Sequence, residues 1–410
     1  MVERTPWGNG IGIKGKKILF GVSGGIAVYK AADYCRGLNK LGAEVYPVLT
    51  KNAQRFCSPL TFSALANESA LGDVQAFDPE HPYVHIELPR KVDCFLVCPA
   101  TCNMLAKAAN GLADDLLTTM ITAYAGKVIF FPAMNPSMYT NPITQKNIAL
   151  LESTGHIVVE PGKGEVACGD KGRGRLVDFE TFIHTIQFHL MPKPLSGKKV
   201  LITCGPTREP IDPVRFISNR SSGKMGYELA WAATTLGAEC HVISGPTWHS
   251  PPPMVKEWIR IETAMEMFEA VKGLYRDMDI IIMAAAVADY TPKTIKTEKI
   301  KKDHDTIHIH LEKTHDILEF LSRNRLNGQC LVGFSAETSD LLERARKKMA
   351  QKPVDILVAN DVTEQGAGFD VSTNKVIIIS NIGKSVDELP LMHKAEVALE
   401  ILSRAEKVLN

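Results

Sequence analysis

Two stretches of this 410-residue chain open in the same way, and that repetition constrains the fold more than any other feature. Gly15-Lys16-Lys17-Ile18-Leu19 is followed one helix later by Leu41-Gly42-Ala43-Glu44. Gly197-Lys198-Lys199-Val200-Leu201 is followed in the same manner by Leu236-Gly237-Ala238-Glu239. Each reads as an apolar strand, a glycine-bearing loop, a helix and a tight turn into a second strand. That is a βαβ unit, the start of a doubly wound parallel sheet. Further strands are expected at KVDCFLVCP, KVIFFPA and HIVVEP, then at HVISGP, DIIIMAAAV, CLVGFSA, DILVAND and KVIIIS. Their apolar runs are short and continuous, the pattern of strands covered on both faces. The predicted fold class is α/β, with two doubly wound, Rossmann-like parallel-sheet domains. Met191-Pro192-Lys193-Pro194-Leu195-Ser196-Gly197 is the expected linker, which places the domains at 15–190 and 195–410.

Length agrees, because a chain of this size exceeds what one core usually serves. A hydrophobic fraction of 45% with 23% charged residues is that of a soluble globular protein. A net charge of +1 gives no electrostatic case for nucleic acid or a membrane surface. The longest apolar run, Ile280 to Ala288, is about half of what a bilayer requires. The stretch from Met1 to Gly15 carries no signal-peptide core, so a cytoplasmic protein is expected. Cys94, Cys98 and Cys102 recur every four residues, yet VDCFLVCPA reads as a buried strand without a nearby histidine. Core packing is favoured there over metal, and no metal ligands are assigned.

In the first half, Gly21-Val22-Ser23-Gly24-Gly25-Ile26-Ala27 stands between a strand and a helix, where backbone N–H groups suit a phosphate. No acidic residue ends the second strand, where VLTKN stands, so a mononucleotide fits better than a dinucleotide. Pro99-Ala100-Thr101-Cys102-Asn103 and Pro132-Ala133-Met134-Asn135-Pro136-Ser137-Met138 place small polar groups at strand ends. His85 lies in the strand-like segment HIEL. Ala167-Cys168-Gly169-Asp170-Lys171-Gly172-Arg173-Gly174-Arg175 is a glycine-punctuated loop, expected to act as a mobile flap carrying one cysteine among charges.

In order, GVSGGIA, HIEL, PATCN with GLADDLL, PAMNPSM and ACGDKGRGRL resemble the homo-oligomeric flavin-containing cysteine decarboxylases, in particular the phosphopantothenoylcysteine decarboxylase branch. The resemblance implies a flavodoxin-like fold with FMN held by Ser23, Gly24, Gly25, Thr50, Thr101 and Asn103. It implies His85 as the active-site histidine, Asn135 as holder of the substrate carboxylate and Cys168 as proton donor. Tyr139 departs from the tryptophan often found in that family, which bears on packing. The implied chemistry suits these residue types. A carboxylate beta to a thiol carbon has no electron sink until the thiol is oxidised, and after carbon dioxide leaves a protein acid must return a proton.

The second half inserts GPTREPIDPVRFISNRSSGKMG between its first strand and helix, at the sheet end where such folds bind ligands. Ala284 to Tyr290 is expected as a buried strand ending on Asp289, and five lysines follow between Lys293 and Lys302. No Walker A sequence is present. GPTREPIDPVRFISNRSSGKMG, AAAVADY, KIKK, GFSAET and ANDV resemble phosphopantothenate–cysteine ligases. That resemblance implies Asn219 against the acyl intermediate and Ala285, Asp289, Lys299, Phe334, Lys348 and Lys352 lining a CTP site, with Lys299 acting on the triphosphate and Mg²⁺ accompanying the nucleotide. His315 departs from the proline common in that family. The two halves in this order resemble the bifunctional proteins of coenzyme A biosynthesis, with 4′-phosphopantothenate, cysteine and CTP as substrates. A homo-oligomer is implied, with active sites completed between subunits. The rivals are a non-catalytic flavin-binding regulator and a flavin prenyltransferase; neither needs both Cys168 and the ligase lysine.

Overall fold

The computed structural model describes residues 10–74, 79–301, 306–337, 341–361, 368, 371–381 and 385–409. Lys302, Thr338 and Val362, at the ends of three quoted motifs, lie outside the described residues. The chain divides into two compact units that change over between Leu190 and Met191.

The first unit holds β1 (Lys17–Val22), β2 (Glu44–Leu49), β3 (Cys94–Ala100), β4 (Val128–Pro132) and β5 (Ile157–Val158) in the parallel order β2-β1-β3-β4-β5. A hairpin of β6 (Gly162–Glu165) and β7 (Lys171–Arg175) stands outside that sheet. Its helices are α1 (Val28–Lys40), α2 (Pro59–Ala66), α3 (Val84–Lys91), α4 (Cys102–Ala109), α5 (Leu116–Ala123), α6 (Pro136–Thr140), α7 (Pro142–Ser153) and α8 (Phe179–Leu190). Side chains alternate across the sheet with a period of two. Leu19, Phe95, Val97 and Phe130 therefore meet Leu105, Leu117 and Met120 of α4 and α5. On the opposite face Phe20 and Phe131 pack on Phe182 of α8, which also lies 4.9 Å from the Tyr34 ring of α1. Cys94 and Cys98 are buried in β3, where burial pushes the Cys94 thiol up to about 12.

The second unit is an eight-stranded sheet in the order β12-β11-β8-β13-β16-β17-β19-β20. It contains β8 (Lys199–Cys204), β11 (Glu239–Ser244), β12 (Glu257–Arg260), β13 (Ile280–Met283), β16 (Cys330–Glu337), β17 (Ile356–Asp361), β19 (Val376–Ser380) and β20 (Ser385–Glu388). Short pairs complete it: β9 (Arg208–Pro210) with β10 (Phe216–Ser218), β14 (Tyr290–Pro292) with β15 (Leu311–Lys313), and β18 (Thr373–Asn374) with β21 (Met392–His393). Val200, Ile202 and Ile282 pack on α9 (Lys224–Thr235) and α13 (Lys394–Leu409). Leu201, Ile281 and Leu331 pack on α10 (Ala264–Leu274), α11 (Ile317–Asn324) and α12 (Leu341–Gln351).

Three expectations change. KVIIIS, as β19, runs antiparallel to β17, so the parallel sheet ends in an antiparallel edge. HIEL lies on α3 rather than a strand. The strand before Asp289 stops at Met283, and the backbone that follows turns toward the inserted loop. Among the described residues no helix is long and apolar enough to cross a membrane.

Candidate active sites

In the first unit β1 sits between β2 and β3, so chains leave its carboxyl end in opposite directions and open a crevice there. The loop after β1 forms its floor. Gly24 is required by close approach, because a Cβ there would lie 2.5 Å from Asn52 Cβ and 2.6 Å from the Asn52 carbonyl carbon. The start of α1 carries neither a side-chain cap nor an acidic residue, whereas α4 and α5 are capped by Thr101 and Asp115. No side chain competes with an anion at this helix start, although Val28 N and Lys30 N already donate to Gly25 O and Ala27 O.

A cavity of about 780 Å³ lies over this floor, lined by Gly24, Gly25, Thr101, Asn135, Cys168 and Arg175 among others. Lys30 also lines it; burial and the neighbouring Arg175 guanidinium lower its ammonium, with Asp178 opposing. Two crowded cations beside a helix start that carries no acidic residue fit the phosphate of a mononucleotide such as FMN. Ser23 supports the wall from behind. Its buried hydroxyl donates to Pro99 O at 2.8 Å and accepts from Thr101 N at 2.9 Å, tying β1 to β3. Thr50 is buried and accepts from Ala53 N, while Asn103 is exposed on the first turn of α4.

The β6–β7 hairpin is the glycine-punctuated flap. Its glycines serve close packing: a Cβ on Gly172 would meet Pro136 Cβ at 2.8 Å, and one on Gly174 would meet Met134 O at 2.2 Å. Met134 N donates to Gly174 O, which docks the hairpin on the loop carrying Asn135. The Asn135 amide thereby reaches Cys168 Sγ at 3.1 Å and Asp170 Oδ2 at 2.6 Å. Asp170 carried no sequence signal of its own, since its role depends on that docking. His85, half-buried on α3, is not among the residues lining this cavity.

In the second unit β8 lies between β11 and β13, and the segments that follow β8 and β13 join beyond the sheet. Ala286 N donates to Gly205 O, Ala285 N to Thr203 Oγ1, and Ala288 N to Thr207 Oγ1. Asn219 Nδ2 donates to Val287 O at 2.8 Å, so the inserted loop is buttoned onto the 284–289 segment. Asp212 organises that loop. Burial opposes its charge, but donors on Val214, Arg215 and Ile300 outweigh burial and hold its carboxyl well below the usual range. Arg215 in turn donates to Ile300 O, which fixes the backbone beside exposed Lys299. The start of α9, with Gly223 as its N-cap, again lacks a side-chain cap and an acidic first turn.

Ala285, Asp289, Phe334, Lys348 and Lys352 line one cavity of about 660 Å³, together with Thr314, His315 and Asp316. Lys348 Nζ donates to Phe334 O at 2.9 Å, and Lys352 pairs with Asp316, the N-cap of α11. The His315 ring stacks on Phe268 at 4.7 Å between centroids. Asn219 and Lys299 do not line this cavity. Sequence reading missed Thr203, Thr207 and Asp212, whose side chains hold backbone from distant segments.

The flavoprotein family profile matches residues 12–191, and that of the DNA/pantothenate metabolism flavoprotein C-terminal domain matches residues 195–409. The coenzyme A biosynthesis bifunctional protein CoaBC of Bacillus subtilis (strain 168) is 45% identical over 395 residues, covering 95% of this chain and 96% of its own. Its counterpart in Vibrio vulnificus (strain CMCP6) is 44% identical over 400 residues, covering 97% and 99%. That of Escherichia coli (strain K12) is 39% identical, covering 93% and 94%. With such identity along both units, the chain belongs to the family of coenzyme A biosynthesis bifunctional proteins.

Proposed function

We infer that the chain is a bifunctional enzyme whose two units catalyse successive steps. The unit at 195–410 joins cysteine to 4′-phosphopantothenate through an acyl cytidylate formed from CTP. The unit at 15–190 decarboxylates the resulting 4′-phosphopantothenoylcysteine to 4′-phosphopantetheine with FMN. The observation that carries this assignment is the meeting of Asn135 and Cys168 on the wall of the cavity over the glycine floor.

The start of α1, with Ser23, Gly24, Gly25, Thr50, Thr101 and Asn103, would hold the flavin. When bound, the flavin supplies the two-electron exchange that makes the thiol carbon an electron sink. Asn135 orients the substrate carboxylate, and the Cys168 thiol holds the proton that completes the product. Because His85 lies outside its own protomer's cavity, its role requires an oligomer in which α3 of one copy faces the cavity of another.

In the second unit Lys348 and Lys352 bring positive charge to the triphosphate, and Ala285, Asp289 and Phe334 shape the nucleotide site. Lys299 closes from the segment held by Asp212, and Asn219 meets the acyl intermediate at the edge. Mg²⁺ would accompany the triphosphate and offset its charge. The test is a purified, yellow chain that releases pyrophosphate from CTP with 4′-phosphopantothenate and cysteine present, and then carbon dioxide. Pyrophosphate without carbon dioxide would remove the decarboxylase assignment, and release of neither would remove both.

A further inference from the structure

We propose that Asp170 is a positioning residue for the decarboxylation: a resident carboxylate that occupies the Asn135 amide until the substrate's carboxylate displaces it. The proposal rests on the assignment of Asn135 as the substrate-carboxylate holder. Asn135 has a fixed orientation, because its Oδ1 accepts from Ser137 N at 2.8 Å as the cap of α6. The two donors of Nδ2 therefore point away from that helix. One meets Asp170 Oδ2 at 2.6 Å, and the other meets Cys168 Sγ at 3.1 Å. The same Asp170 oxygen lies 3.5 Å from Cys168 Sγ and accepts from the thiol.

The backbone makes this convergence possible. Gly169 adopts φ +87° at the hairpin tip, with open space around its Cβ position. Gly169 N donates to Val166 O and Val166 N to Asp170 O, closing the tip so that residues 168 and 170 both project toward Asn135. A carboxylate that replaces Asp170 on Nδ2 thus arrives beside the thiol without any movement of Asn135. The exchange is one carboxylate for another, so the amide is satisfied in both states. Once the substrate has lost carbon dioxide it has nothing to offer that amide. Asp170 then returns, and the hairpin resets with Cys168 in place.

The test uses the full chain with Asp170→Ala and Asp170→Asn. The probes are 4′-phosphopantothenoylserine, whose hydroxyl cannot undergo the thiol oxidation, and the carboxylate-free product 4′-phosphopantetheine, both titrated by calorimetry. Asp170→Ala is expected to tighten the serine compound about 3- to 10-fold and to leave 4′-phosphopantetheine unchanged. In turnover KM and kcat should fall together, because the competitor and the docking of Cys168 are lost at once. Asp170→Asn keeps the shape without the charge, so it should tighten less and retain kcat; unchanged flavin absorbance checks the fold of both variants. Equal effects on the two ligands, no effect on either, or a raised KM would overturn the proposal. An unsubstituted chain that releases no carbon dioxide overturns the assignment of the cavity, and the proposal with it.

Discussion

Replacing Gly174 by alanine probes whether docking of the β6–β7 hairpin assembles the decarboxylase site. A Cβ at that position lies 2.2 Å from Met134 O and 3.3 Å from the Asn135 carbonyl carbon, both backbone atoms. Restoring ordinary contact requires β7 to retreat by roughly 1 Å. That movement breaks the bond from Met134 N to Gly174 O, which measures 2.9 Å. The lost hydrogen bond costs about 1 kcal/mol and the overpacking about 1–3 kcal/mol. Docking is then weakened by about 2–4 kcal/mol, or roughly 30- to 1000-fold in the docked population. Cys168 rides on the same hairpin, so its 3.1 Å contact with Asn135 is lost with it. The expected result is a fall of about 10²-fold or more in kcat/KM for 4′-phosphopantothenoylcysteine. CTP-dependent pyrophosphate release serves as internal control and should not change, since β7 belongs to the other unit. Decarboxylation within a few-fold of the unsubstituted chain would refute the claim that docking builds the site.

Cys168→Ser is expected to release carbon dioxide yet fail at the final protonation, so an oxidised enethiol accumulates; normal 4′-phosphopantetheine at near wild-type rate, seen by mass spectrometry, would remove Cys168 from that step. Lys299→Gln should slow acyl cytidylate formation by about 10²- to 10³-fold. Asn219→Asp should retain detectable activation and lose mainly the attack by cysteine, because a carboxylate against Val287 O loosens the loop and repels the intermediate's phosphate. Trapped intermediate and pyrophosphate without cysteine distinguish these two variants. Burial lowers the Lys193 ammonium to about 8, against about 10.4 in an unfolded chain. The unfolded state binds more protons between those values, so stability of the second unit should rise from about pH 8 to about pH 10. Lys193→Met should flatten that rise in the denaturant midpoint.

What the chain declared by itself was local and periodic. The continuous runs KILFGV and CFLVCPA can be buried on both faces only as interior strands. The glycines after β1 were equally legible, because a loop pressed against Asn52 has no room for a side chain at Gly24. Candidate residues were legible through the order of their motifs, not through their contacts. Periodicity failed where long-range pairing overrode it. HIEL alternates apolar and polar residues like a strand, yet it lies on α3, whose Leu88 packs against a core that includes the α5 residues Leu117 and Met120. The apolar run after Met283 reads as more strand, yet Ala285 and Ala288 are drawn off by the hydroxyls of Thr203 and Thr207, about eighty positions away in the chain. Asp170, Asp212 and the direction of β19 belong to the same class. Their partners are chosen by which segments the sheet order brings together, and hydrogen bonds between distant segments leave no period in the sequence to read.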